Sequence, residues 1–235
     1  MNPIISRIRR ELESLASEKT RESGMRFFKE EVKLHGVKTA DVNRIARLTF
    51  KEVRDRGRAG VYELCGELWR TGFMEESFIA CAWSYALRKD YEPHDFKVFE
   101  SWVNGYVSNW ASCDTLCNHT VGAFLEKFPE YVSHLKKWAR SRNRWVRRAA
   151  AVSLVVPARR GLFLSDVFGI ADLLLADGDD LVQKGYGWML KAASQAHQRD
   201  VHAYVMRNKD AMPRTALRYA IEKMPEKLRK SAMAK

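Results

Sequence analysis

Apolar residues recur along this chain at spacings of three and four, the period of a helix with one buried face. Alternation at spacing two, the mark of a half-buried strand, is scarce, and no hairpin dipeptide separates alternating runs. Ile4, Ile5, Ile8, Leu12 and Leu15 place the buried face of a first helix over 3–16. A second is expected over 22–34, ending at a C-terminal cap on Gly36. A third, over 42–56, is capped by Thr39 or Asp41 and broken by Gly57 and Gly60. Helices over 61–70, 75–89, 93–107 and 109–127 continue the series, with further helical stretches at 138–157 and 179–194. The last runs over 213–224, with Pro213 in its first turn, where a missing N–H costs nothing.

Three of these segments superpose. Residues 76–87, 144–155 and 180–191 bring Phe78, Val146 and Val182 into register, and Ala82 and Ala150 with the region of Gly187. The second and third begin 36 residues apart and the first and second 68, close to two such units. Helix pairs at this period predict an all-α fold, an α-α superhelix (solenoid) of HEAT-like repeats in one domain over 1–235. A non-repetitive helical bundle is the competing arrangement. In a solenoid the second helix of each pair commonly lines a concave face. A basic stretch there makes that face a concave basic groove.

Charge sharpens this picture. The chain has 41 Lys+Arg against 29 Asp+Glu, a net charge of +12 and a pI near 9.6, which fits an anionic partner, nucleic acid before membrane surface. Between 136 and 160 there are nine Lys or Arg and no Asp or Glu. With Asn143 as cap, Arg144, Arg147 and Arg148 cluster on a helix whose Val146, Ala150 and Leu154 face inward, with Trp145 at the boundary. Guanidinium groups suit phosphate, so this helix is expected to hold a backbone without reading bases.

Four cysteines (65, 81, 113 and 117) without a CxxC pair read as reduced, buried thiols of a cytoplasmic protein. No apolar run is long enough to span a membrane, and the amphipathic, acid-containing N-terminus does not read as a secretory signal. Cys113, Cys117 and His119 lack the usual zinc spacing, and the acidic turn 177–180 lacks the remaining ligands of a calcium loop and reads as a helix cap. Without a phosphate-cradling glycine motif, no metal and no nucleotide cofactor is expected. The C-terminal KLRKSAMAK reads as a frayed basic tail.

Candidate chemistry lies in two segments. Trp110 and Asp114 in VSNWASCD are one helical turn apart, so an indole face and a carboxylate share a side. Trp188 could supply a second aromatic wall, with Lys184 and Lys191 near it for phosphates. Aromatic faces attract cations, and a carboxylate stabilises developing positive charge. The bland reading makes both tryptophans core residues and Asp114 an ordinary surface acid.

The chain resembles the AlkD-like family of bacterial DNA alkylation repair proteins, HEAT-like repeat DNA glycosylases. The resemblance covers nearly the whole chain and rests on SNWASCD (108–114), NRWVRRAAAVSL (143–154), VQKGYGWML (182–190) and PRTALRYAIEKMP (213–225), in that order. It implies release of positively charged alkylated purines from double-stranded DNA by a cytoplasmic monomer. Trp110, Asp114 and Trp188 fall on the family's site positions and Arg148 on its phosphate-contacting arginine. It also implies that the protein grips the backbone while the base stays in the duplex. Phe27 stands where the family pattern has tyrosine, Lys38 where it has glutamine and Lys191 where it has arginine. Lys191 keeps the charge and loses the planar fork; Phe27 keeps the ring and loses the hydroxyl. A non-catalytic module for branched or damaged DNA, and a scaffold for other proteins, are the competing functions.

Overall fold

The computed structural model describes residues 2–234, and among these no strand forms. Extended backbone pairs at an isolated parallel bridge between Lys33 and Phe73. The chain divides into two compact units, 1–116 and 117–235. The first holds α1 (Pro3–Leu15), α2 (Glu18–Met25), α3 (Thr39–Val53), α4 (Gly57–Trp69), α5 (Met74–Ala86), α6 (Asp95–Gly105) and α7 (Trp110–Thr115). The second holds α8 (Gly122–Lys127), α9 (Val132–Trp138), α10 (Arg144–Val152), α11 (Val155–Arg159), α12 (Leu164–Leu174), α13 (Asp180–Ala193), α14 (Gln198–Asn208), α15 (Arg214–Ile221) and α16 (Glu226–Met233). No described helix is long and apolar enough to cross a membrane.

The repeat is plain in the helix starts. Helices α3, α5, α7, α10, α13 and α15 begin at Thr39, Met74, Trp110, Arg144, Asp180 and Arg214, spaced 34 to 36 residues apart. From α5 onward each is paired with a preceding helix: α4 with α5, α6 with α7, α9 with α10, α12 with α13, α14 with α15. Within the first unit α3 packs on α5 and α5 on α7; within the second, α10 packs on α13 and α13 on α15. This is the helix-pair repeat expected of the fold class. Superposing 76–87 on the later segments is displaced by two residues, because the helix starts set Glu76, not Phe78, against Val146. A period of three and four admits such a slip, since more than one apolar residue on a face can serve as the anchor.

Burial follows the predicted faces. Ile4, Ile5, Ile8 and Leu12 are buried and Leu15 is exposed at the helix end. Val146, Ala150 and Leu154 are buried, and the four cysteines are free and buried. Trp83 ties α5 to α3 by donating its indole N–H to the Ala46 carbonyl at 2.9 Å.

Several expectations are corrected. The helix over 22–34 does not form: α2 ends at Met25, and 26–38 runs as a loop whose backbone is bound elsewhere in the unit. Gly36 is not a helix cap. It takes φ of 88°, and a Cβ there would lie 2.6 Å from the Ser17 carbonyl oxygen, so the loop requires glycine. Lys38, not Thr39 or Asp41, is the N-cap of α3 and makes no side-chain cap bond. Gly57 turns the chain, but Gly60 lies inside α4. Residues 109–127 are interrupted by a π-helical stretch, Leu116–Val121. The stretch 138–157 is also broken, as Trp138 closes α9 and α10 gives way to α11 after Val152. Pro213 is an N-cap rather than a first-turn residue, and α15 is not the last helix. The supposed tail forms α16, with Ala232 buried and Ser231 bonded to His202 at 3.1 Å.

Candidate functional site

In the first unit, α7 opens with a side-chain cap: Asn109 Oδ1 accepts from Ser112 N–H at 2.8 Å. Ser112 Oγ meets Ser77 Oγ at 2.7 Å, docking α7 on α5. Buried Ser112 and Cys113 face the core, which leaves Trp110 and Asp114 half-buried on the same side, one turn apart. The Trp110 ring stacks on Phe28 with centroids 5.2 Å apart and planes at 24°, and its indole N–H donates to the Phe27 carbonyl at 3.4 Å. Together Phe27, Phe28, Trp110, Lys19, Lys38 and Glu75 line much of a cleft of about 700 Å³. Phe27 is 73% exposed, an unusual position for a phenyl ring unless something is to cover it.

What holds this cleft open was not read from the sequence. Glu75 is buried, and its two oxygens accept three consecutive backbone N–H groups, those of His35 (3.0 Å), Gly36 (2.8 Å) and Val37 (3.2 Å). Its neighbour Glu76 binds Arg9 at 3.1 Å and His35 Nε2 at 3.3 Å, while His35 stacks on Phe73. From the other side Arg21 donates to the carbonyls of Leu34 (3.2 Å) and His35 (3.0 Å). The loop between α2 and α3, which carries Phe27, Phe28 and Lys38, is thereby fixed without helical structure. The sequence signal was an acidic pair opening an otherwise apolar helix, which ordinarily reads as a favourable interaction with the helix dipole.

The second unit holds the basic helix. Asn143 caps α10 as expected, accepting from Trp145 N–H at 2.9 Å. Its arginines have internal partners. Arg147 grips Asp177 with two nitrogens, at 2.6 and 3.3 Å, and donates to the Ser141 and Arg142 carbonyls at 3.0 and 3.1 Å. Arg144 pairs with Asp179 at 2.9 Å and lies over the Trp145 ring. Arg148 is buried and donates to the Leu181 carbonyl. The positive run is thus met by the acidic turn before α13, whose Asp179 also caps that helix by accepting from Leu181 and Val182 N–H. On α13, Lys184 pairs with Asp180 at 2.7 Å and Lys191 with Glu222 at 2.8 Å, and Trp188 lies half-buried between them in sequence.

Of the residues singled out from sequence, Phe27, Lys38 and Trp110 come together at the first-unit cleft, with Asp114 one turn beyond. In the second unit Arg144, Arg147 and Arg148 lie on α10, and Lys184, Trp188 and Lys191 on α13, which packs against it.

The profile of the family described as DNA alkylation repair enzyme matches residues 8–224. The chain belongs to this family. Among solved structures it is similar to one described as a predicted DNA alkylation repair enzyme from Enterococcus faecalis. That match has a TM-score of 0.80 at 13% sequence identity, over 90% of this chain and 97% of the other. At that identity the likeness speaks for the fold. Curated protein sequences give no match. Family membership turns the half-buried Trp110 and Asp114 beside an aromatic, lysine-edged cleft into the leading candidate site.

Proposed function

We propose that the chain is a DNA glycosylase that hydrolyses the N-glycosidic bond of positively charged alkylated purines, of the 3-methyladenine and 7-methylguanine type, in double-stranded DNA. The observation that carries this reading is the pairing of Trp110 with Asp114 on successive turns of α7, both half-buried, beside a cleft with Phe27, Phe28, Lys19 and Lys38 in its wall.

The chemistry follows from the substrate. Alkylation at a ring nitrogen makes the base cationic, so when the C1′–N bond breaks its electron pair neutralises the departing base. No acid is needed for that departure. Positive charge moves to the sugar as an oxocarbenium ion, and the Asp114 carboxylate stabilises it. A water oxygen then bonds to C1′ and the surplus proton passes to Asp114 or solvent. Trp110 offers its π face to the cationic nucleotide, and the family resemblance gives Trp188 the same task. Arg144, Arg147, Arg148, Lys184, Lys191 and Lys38 serve the phosphates, and Phe27 the duplex surface. Glycosylases generally flip the target base into a pocket. Here the reading is that the backbone is gripped and the base stays stacked.

The test is release of 7-methylguanine from methylated duplex DNA. Wild type should liberate free base, and Asp114→Asn should do so roughly 10²–10³ times more slowly, the usual cost of removing one stabiliser of transition-state charge. Equal rates remove the role given to Asp114. Tight binding with no base released by wild type supports the alternative, a non-catalytic module for branched or damaged DNA.

A further inference from the structure

The repeat makes the cations of different helices comparable position by position. Arg214 and Arg218 occupy in α15 the places of Arg144 and Arg148 in α10, the first and fifth residues of their helices. In α10 that pair is turned inward, one residue bound to Asp179 and the other buried against Leu181. The α15 pair is different. Both arginines are exposed, and neither makes an ion pair among the described residues. Glu222, one turn beyond Arg218, is held by Lys191 at 2.8 Å. Two like charges one turn apart repel and weaken a helix, so an exposed pair without a counter-ion is a cost that an anionic partner would offset.

Their location gives the pair a context. Helix α15 is pressed onto α13 so closely that a Cβ on Gly187 would stand 2.7 Å from Tyr219 Cβ. Thr215 Oγ1 reaches Asp180 at 3.5 Å, and Lys191 lies 5.4 Å from the Tyr219 ring centroid. The two arginines therefore sit on the helix directly beside the one that carries Trp188 and Lys184.

We propose that Arg214 and Arg218 form a phosphate-binding surface for duplex DNA, extending the backbone contacts beyond α10 and α13. The inference rests on the duplex-DNA reading above. The side chains of such a pair start about 5–6 Å apart, so both guanidinium groups reach the same stretch of backbone. Each presents a fork matched to phosphate oxygens. Because both are exposed and un-neutralised, binding releases condensed counterions from the DNA. Arg147, already bonded to a carboxylate and two carbonyls, does not start from that state.

The experiment measures binding of undamaged duplex DNA by wild type and by Arg214→Ala/Arg218→Ala between about 50 and 200 mM salt. Alanine is a good helix former, and matching thermal melts establish that both proteins are folded. The slope of log K against log salt should become shallower by about 1.8, roughly 0.9 for each lost phosphate contact. An unchanged slope overturns the surface. Base release from methylated duplex is followed on the same samples. Wild type that binds with the full slope but frees no base sinks the glycosylase reading and leaves the arginine surface standing. An unchanged slope with normal base release does the reverse.

Discussion

Both oxygens of Glu75 are taken up by backbone N–H groups, which makes one side chain responsible for the wall of the cleft. Bonds from N–H groups to a buried carboxylate are each worth about 1.5–3 kcal/mol, and a donor left without an acceptor carries a further desolvation cost. Glu75→Gln keeps shape and volume but points an amide N–H₂ at one of the three donors. It should loosen the loop locally rather than unfold the chain. Arg26, Lys29 and Lys33 lie in that loop and are exposed, so trypsin reports on it. Cleavage at those sites should accelerate by roughly tenfold or more, the factor for about 1.4 kcal/mol or more of easier opening, while cleavage elsewhere keeps its rate. An unaltered cleavage pattern would show that Arg21 and the Lys33–Phe73 bridge suffice. At this scale the sequence was only partly legible. The spacing of Trp110 and Asp114 could be read directly, since helix geometry alone puts them on one side. The partners of Arg144 and Arg147 could not, because Asp179 and Asp177 lie a repeat away. A one-signed local window is blind to acids that the next helix pair brings alongside.

Elements were legible where the buried face was strong and local, as in α1, α10 and α13. They were misread where a long-range bond decided the matter. Apolar Phe28, Val32 and Leu34 gave 22–34 a helical period, yet Glu75, Arg21 and the strained Gly36 hold that segment extended. The C-terminal segment looked too charged to order, but one buried alanine and the Ser231–His202 bond dock α16. Helix-to-helix spacing also explains the two glycines of GYG on α13. A Cβ on Gly187 would meet Tyr219 Cβ at 2.7 Å and the Ala216 carbonyl oxygen at 2.8 Å, and neither can swing aside. At Gly185 the nearest atom is Arg148 Cγ at 3.3 Å, part of a side chain that can shift by a few tenths of an ångström. Gly187→Ala should force α15 away from α13 and cost about 1–3 kcal/mol, a typical overpacking penalty. Gly185→Ala should be near neutral, because a helix-propensity gain of up to about 1 kcal/mol opposes the squeeze. Thermal melts of the two variants decide it: equal midpoints would mean that the α13–α15 contact is not close enough to need glycine.

Over the whole molecule, the basic balance and the helical period gave the fold class and an anionic partner class from sequence. They said nothing about how the fold answers to pH. That follows from three phenols, Tyr62, Tyr186 and Tyr204, all buried. Burial is the main cause holding each phenol well above its ordinary value of 10.0, reinforced by carboxylates: Asp95 near Tyr62, Asp177 near Tyr186, and Asp172, which accepts the Tyr204 hydroxyl at 2.8 Å. A raised folded-state value favours the protonated form in the fold, so this stability is fully present below pH 10 and is lost as pH rises above it, where the unfolded chain ionises first. One pH unit above 10, each phenol has lost about 1.4 kcal/mol. Lysines lose charge over the same range and relieve some self-repulsion of the basic chain, which blurs the wild-type profile. Tyrosine-to-phenylalanine variants separate the two effects. Tyr204→Phe gives up a hydrogen bond and should be less stable at pH 8 by about 1 kcal/mol. Yet its loss of stability between pH 8 and pH 11 should be smaller than that of wild type by about 1.4 kcal/mol, as should that of Tyr186→Phe. Urea unfolding at the two pH values measures the difference, and parallel losses in wild type and both variants would mean that these phenols do not set the alkaline limit of the fold.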